Sequence, residues 1–216
     1  PERKRLLYPA WRKYGEYLDH ANRAFTEAVV HAGWQPNQQH FWSQFVTGAV
    51  RTAVLIVDAL RFDLAQNLIT SLRSEGMQVD IKPIKGSLPS ITEVGMSALL
   101  PGAEQGLEIS VTNSKLKVRI GDQEVTTRDT RLTWLAQKAP PASKFIRLDQ
   151  IEQKTYDGVQ LLTVLSREVD AFGTFAAEID PAGLLDLVGR IEKGARTLIN
   201  QGFERILIAT DHGFLY

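Results

Sequence analysis

Two short apolar runs constrain this sequence most: Ala53-Val54-Leu55-Ile56-Val57 and Ile206-Leu207-Ile208-Ala209. Neither alternates apolar with polar residues, so neither suits a sheet with one wet face. Such runs belong to strands buried on both sides, the habit of parallel sheets in α/β domains. Leu60, Leu64, Leu68 and Leu72 follow the first run at helical spacing, and Gly76 is placed to end that helix. Val79–Ile84 reads as a second strand, and Ile91–Leu100 as a short helix closed by Pro101-Gly102. Later, Val159–Leu165 has strand length. Leu184, Leu187, Val188, Ile191, Ala195 and Leu198 form a helical stripe that stops before Gly202 and the Arg205–Thr210 strand. This alternation predicts an α/β fold, a mostly parallel sheet flanked by helices.

Two stretches stand apart from that pattern. Trp11, Tyr14, Leu18, Ala21, Phe25 and Val29 recur at three- and four-residue steps, so residues 1–46 read as a helical lead-in to a core spanning 47–216. Residues of about 103–145 read as an insertion over the sheet. Within it Gly121-Asp122 marks a hairpin between Lys115–Ile120 and Glu124–Thr126, and Arg128–Lys138 forms a helix that Pro140-Pro141 ends. The chain begins without methionine and stops a few residues past a strand, so it is expected to be a piece of a larger protein.

Composition excludes several classes. The 25 basic and 25 acidic residues balance, so any nucleic-acid contact needs a local patch. With no cysteine there are no disulfides and no thiolate metal sites, which fits a reducing compartment. No apolar run approaches the roughly 18 residues of a membrane span. A soluble, cytoplasmic protein is expected.

Ligands of parallel sheets gather beyond the carboxyl ends of the strands. Asp58 follows the first strand there, and Asp211-His212-Gly213 follows the last. Two carboxylates and an imidazole suit a divalent ion such as zinc or manganese. Taken alone, Asp58 reads equally well as a helix N-cap and His212 as an ordinary loop histidine. Ser90 and Glu93 have capping-box spacing, which puts Thr92 in a first helical turn where amides and dipole favour negative charge. Thr92 is then either a metal-activated nucleophile or an ordinary first-turn threonine. Arg61 is either a phosphate contact or an outward, salt-bridged arginine.

Three separated motifs resolve part of this. Val57-Asp58-Ala59-Leu60-Arg61-Phe62-Asp63 comes first. Leu88-Pro89-Ser90-Ile91-Thr92 follows, with Ala98-Leu99-Leu100-Pro101-Gly102, and then Ala209-Thr210-Asp211-His212-Gly213-Phe214. Their order and spacing over roughly residues 50–216 resemble a PglZ domain, a branch of the alkaline phosphatase superfamily. The resemblance implies an alkaline phosphatase-like core, truncated at its C-terminus. It implies one or two divalent metal ions, with Asp58, Thr92, Asp211 and His212 around the first and Thr92 as the nucleophile. Asp170 resembles the second-site aspartate, but Thr174 stands four residues on, where the family has histidine, and a further histidine would fall beyond Tyr216. Glu168 and Asp180 are the available substitute carboxylates. A DALR-type run is part of the family pattern and keeps Arg61 as a substrate-binding candidate.

The function so implied is metal-dependent phosphoester hydrolysis, as phosphodiesterase or phosphatase, on nucleic acid or nucleotides, within a phage-defence protein that works with other defence proteins. The alternative is a catalytically inactive scaffold or interaction module of a defence complex, which the aromatic lead-in and the incomplete second site favour. A dinucleotide-binding domain is excluded, because no glycine-rich turn follows the first strand.

Overall fold

The computed structural model describes residues 2–46, 50–166 and 181–213. Asp170, Glu168, Thr174 and Asp180 lie outside the described residues. The chain divides into two compact units, Pro1–Gln35 and Pro36–Tyr216. The first is one helix, α1 (Glu2–Ala32). Gly33 follows with φ 63°, and Trp34 folds back so that its N–H donates to the Val29 carbonyl at 3.2 Å and its ring meets Phe25 edge-on.

The second unit runs through α2 (Phe41–Phe45), β1 (Thr52–Val57), α3 (Phe62–Ser74), α4 (Thr92–Ala98), β2 (Leu107–Thr112), β3 (Lys115–Ile120) and β4 (Gln123–Glu124). It continues with α5 (Arg128–Lys138), β5 (Ser143–Arg147), β6 (Leu161–Ser166), α6 (Pro181–Asn200) and β7 (Arg205–Thr210). Four strands form a parallel sheet in the order β5-β6-β1-β7. All six residues of β1 are buried, as its unbroken apolar run requires. Its side chains alternate between the two faces. Ala53, Leu55 and Val57 join Leu64, Leu68 and Leu72 of α3 and Leu187, Val188, Ile191 and Leu198 of α6. Val54 and Ile56 join Phe41, Met96 and Leu99 on the other face. Full burial stabilises a Leu or Ile side chain by about 1.5–3 kcal/mol, so neither face of β1 tolerates a polar replacement.

The expected strand at Val79–Ile84 does not form. Pro83 lacks a ladder donor, and the backbone further along turns to another partner. The N–H groups of Asn37 and Gln38 donate to the Lys85 carbonyl at 3.1 and 3.2 Å, and the Lys85 N–H donates to Asn37 Oδ1 at 2.6 Å. This segment therefore pairs with residues 37–38, and Phe41 enters the sheet's core.

The predicted hairpin is present as β3 and β4, extended by β2 into a separate antiparallel sheet. Val118, Ile120 and Val125 pack with Trp134 and Leu135 of α5 against Val94 of α4 and Leu100. Ser143–Phe145, which the sequence reading gave to the insertion, instead begins β5 at the edge of the parallel sheet. No helix among the described residues is long and apolar enough to cross a membrane.

Candidate active site

Strand register decides which residues meet at the carboxyl edge. Val57 pairs with Thr210 on one side and Ser166 on the other, so Asp58 and Asp211 leave neighbouring strands at the same level. The two loops are bonded to each other. Ala59 N–H donates to Asp211 Oδ1 at 2.9 Å, Leu60 N–H to Thr210 Oγ1 at 3.0 Å, and Thr210 Oγ1 to the His212 carbonyl at 2.9 Å. Ala59 is buried with φ 60°, a left-handed conformation that costs an ordinary residue about 1–2 kcal/mol. The cross-bonds hold it there. Asp58 is no N-cap: the cap position of α3 belongs to Arg61.

Thr92 is the first residue of α4. The expected capping box is not made, because the cap residue is Ile91, which has no side-chain acceptor, and Ser90 lies one position too early. Two other residues bring α4 to the Asp211 loop. A Cβ on Gly95 would sit 2.7 Å from the Asp211 carbonyl oxygen and 2.8 Å from its Cβ, so only glycine allows this approach. Gln38, buried, donates from Nε2 to the Asp211 carbonyl at 2.8 Å and accepts from the Ser87 N–H at 2.9 Å.

The four side chains converge. Thr92 Oγ1 lies 3.2 Å from Asp58 Oδ1 and 3.0 Å from His212 Nε2. His212 Nε2 lies 3.8 Å from Asp58 Oδ1 and 3.4 Å from Asp211 Oδ2. One ligand atom each from Asp58, Asp211 and His212 falls within 4.8 Å of the others. His212 Nδ1 sits 2.8 Å from the Gly213 carbonyl, which can only accept, so the ring proton is assigned to Nδ1. Nε2 then presents its lone pair to the cluster, and the Thr92 hydroxyl proton has two acceptors, Nε2 and Asp58 Oδ1.

Asp211 is the most informative of the four. Its Oδ1 accepts from the Ala59 and His212 amides, the latter at 2.8 Å, while its buried Oδ2 has no hydrogen-bond partner among the described residues. Leaving a buried acceptor unmatched costs about 1–3 kcal/mol, and more for a charged one. Burial pushes the Asp211 carboxyl above the usual range, against the Ala59 and His212 amides that it accepts from. A divalent cation is the partner this oxygen fits. Two carboxylates, one imidazole and a hydroxyl form a donor set that suits zinc or manganese.

Arg61 stands beside this loop, its stem 3.8–3.9 Å from where a Gly213 Cβ would be. Its guanidinium binds Asp63 through Nε at 2.9 Å and one terminal nitrogen at 2.7 Å. Three residues not singled out by sequence belong near the site: Gln38, Gly95 and Arg131. A glycine inside a predicted helix is a sequence signal for close approach. Nothing in the sequence marked the other two. Arg131, half-buried on α5, lies in the field of Asp58, Glu93 and Asp211, and burial lowers its pKa against their pull.

Residues 38–216 match the family model described as the BREX system PglZ alkaline phosphatase-like domain. The chain is 29% identical over 189 residues to the alkaline phosphatase-like protein PglZ of Bacillus cereus (strain H3081.97), covering 82% of this chain and 21% of that protein. It is 26% identical over 236 residues to the alkaline phosphatase-like protein BrxZ of Escherichia coli O9:H4 (strain HS), covering 97% of this chain and 26% of that protein. The chain thus spans about a fifth to a quarter of the length of these curated relatives.

Proposed function

The chain belongs to the PglZ family of BREX-system alkaline phosphatase-like domains, and on that premise we propose that it carries a metal-dependent phosphoester-hydrolysing site. Asp58, Asp211 and His212 hold one divalent ion, zinc or manganese, and Thr92 is the nucleophile. Asp170 is the proposed carboxylate of a second ion, and Arg61 a proposed substrate contact. Support comes above all from one observation: side chains from three distant segments meet around a buried carboxylate oxygen of Asp211 that lacks a hydrogen-bond partner among the described residues.

When bound, the cation would lower the pKa of a nearby hydroxyl and neutralise charge on a phosphoryl group. The chain's residues supply the rest. With the His212 Nε2 lone pair committed to the ion, the Asp58 carboxylate, whose Oδ1 lies 3.2 Å from Thr92 Oγ1, would take the hydroxyl proton as the oxygen attacks phosphorus. The new Thr92 O–P bond forms as the bond to the leaving alkoxide breaks, and that alkoxide takes up a proton. Water then attacks the phosphothreonine, the Thr92 O–P bond breaks, and the threonine oxygen regains its proton. The His212 Nδ1 contact with Gly213 keeps the Nε2 lone pair turned toward the cluster that would hold the ion. The proposed substrates are phosphoesters of nucleic acid or nucleotides, and the proposed partners are other phage-defence proteins.

The test is hydrolysis of bis-p-nitrophenyl phosphate by the protein in its full natural length, with zinc or manganese added. Thr92→Ala and Asp211→Asn should each lose at least about a hundredfold in rate. Manganese at a hundred times its Kd should stabilise the parent by about 2.7 kcal/mol and the Asp211→Asn variant far less. A folded protein with neither bound metal nor turnover would favour the second reading, an inactive interaction module. That reading draws support from α1, where Tyr8, Trp11 and Tyr17 are exposed large aromatics.

A further inference from the structure

Arg131 enters none of the roles above, yet its setting is unusual for a surface helix. Trp134 and Leu135, three and four residues on, share its face of α5, and both pack with Val94, which lies two residues into α4 from Thr92. The same face therefore carries Arg131 toward the start of α4. Trp134 Nε1 donates to the Pro101 carbonyl at 2.7 Å, and Ser97 Oγ donates to the Glu93 and Val125 carbonyls at 2.7 and 2.9 Å, which fixes α4 against the insertion. One guanidinium nitrogen of Arg131 is tied to the Thr126 carbonyl at 2.5 Å. The charged groups acting on it are Asp58, Glu93 and Asp211, with Arg128 opposing. Even so, among the described residues no carboxylate comes within 4.0 Å of it. A half-buried guanidinium that makes one backbone hydrogen bond and no ion pair among the described residues leaves its remaining donors available to a third group.

We infer that Arg131 binds the phosphoryl oxygens of the substrate, bridging the insertion to the catalytic edge. This rests on the phosphoester reading of the site. The guanidinium's planar fork matches two phosphoryl oxygens, and its charge lies within the electrostatic reach of Asp58 and Asp211, the carboxylates that would hold the metal. The anion would then sit between cation and guanidinium, above the Thr92 hydroxyl. Arg131 contributes binding and orientation, while the proton and bond changes remain those of Thr92.

The experiment measures manganese affinity, inorganic phosphate affinity and KM for bis-p-nitrophenyl phosphate in the full natural-length protein and in Arg131→Ala, Arg131→Met and Arg131→Lys. Loss of a charge-assisted, bidentate contact should weaken phosphate binding and raise KM by about ten- to a hundredfold in the Ala and Met variants. The Lys variant should recover part of that loss. Manganese affinity should stay level or rise, because a cation near the carboxylates has been removed. That sign separates binding from scaffolding, since structural damage would weaken both ligands together. Unchanged phosphate affinity in the Ala and Met variants overturns the assignment while leaving the site reading intact. Joint loss of manganese and phosphate also overturns it, in favour of a structural role. If the parent itself binds neither ligand, the phosphoester reading fails and the arginine's role falls with it.

Discussion

Replacing Gln38 with alanine removes the two hydrogen bonds that tie the Asp211 backbone to the segment leading into Thr92. The side chain donates to the Asp211 carbonyl at 2.8 Å and accepts from the Ser87 N–H at 2.9 Å, with Gln38 itself 1% exposed. Both partners are backbone groups, so neither can be repaired by choosing another rotamer. An unmatched buried group costs about 1–3 kcal/mol, which gives about 2–6 kcal/mol for the pair. For a chain of this size that lowers the melting temperature by about 2–4 °C per kcal/mol. Gln38→Glu is the sharper variant. It keeps the acceptor for Ser87 but sets a second oxygen against the Asp211 carbonyl and adds a negative charge beside buried carboxylates. It should be at least as destabilised as the alanine variant despite its matching shape. Calorimetric melting and zinc titration of both variants would check this, with zinc affinity expected to fall at least tenfold as the Asp211 loop loosens. Melting within 1 kcal/mol of the parent and unchanged zinc affinity would refute the idea that Gln38 braces the site.

Two further substitutions separate the site from the fold. Gly95→Ala places a methyl 2.7–3.0 Å from three Asp211 atoms, two of them backbone, so the loop must move. Overpacking of this kind costs about 1–3 kcal/mol, and isothermal titration should show metal binding weakened more than stability alone explains. Arg51 works near the other end of the sheet, just before β1. Its guanidinium donates to the Val159 carbonyl at 2.9 Å, the Gln201 carbonyl at 2.6 Å and the Tyr156 carbonyl, and lies 4.3 Å from the Phe203 ring centre. Arg51→Ala should cost about 3–5 kcal/mol in a denaturant melt while leaving metal affinity per folded molecule unchanged.

What the sequence revealed follows from how local each signal is. β1 announces itself because double burial demands an unbroken apolar run. β7 carries a similar run yet lies half-buried, with only Ala209 buried, so its apolar residues mark a strand without marking two covered faces. α5 ends where its sequence says, at the approach to Pro140. Asp58 and Asp211 were legible as edge residues because both follow such runs. Val79–Ile84 misled because strand-like composition says nothing about whether a neighbouring strand is available. Its continuation bonds to residues 37–38, a partner more than forty positions away. Gln38 was illegible for the same reason, since its two contacts lie 49 and 173 residues along the chain and no periodic pattern points to either. Arg131 is one charge among several on an amphipathic helix. Only the packing of Trp134 and Leu135 tells which way it faces.

The cross-bonded loops bear on how such a site is made. Asp211 Oδ1 is committed to Ala59 and His212 amides, Thr210 Oγ1 links Leu60 to the His212 carbonyl, and Asp58 N–H donates to the Ser166 carbonyl at 2.9 Å. Asp58 and Asp211 are thus each held by backbone of another strand or its loop, and His212 by its own loop. A site assembled by its metal, as in small zinc modules, has ligands that are disordered without it, so binding energy is folding energy. Here the parallel register and these bonds order the ligands beforehand. The strain at Ala59 and the unmatched Oδ2 of Asp211 are the local costs of that order. Metal binding should therefore relieve a defect in an already folded edge, not create the edge. Chelation should lower the melting temperature in a single cooperative transition without loss of helical signal at 25 °C. A metal-free chain that loses its sheet would mean that the cation, and not the strand register, brings Asp58, Asp211 and His212 together.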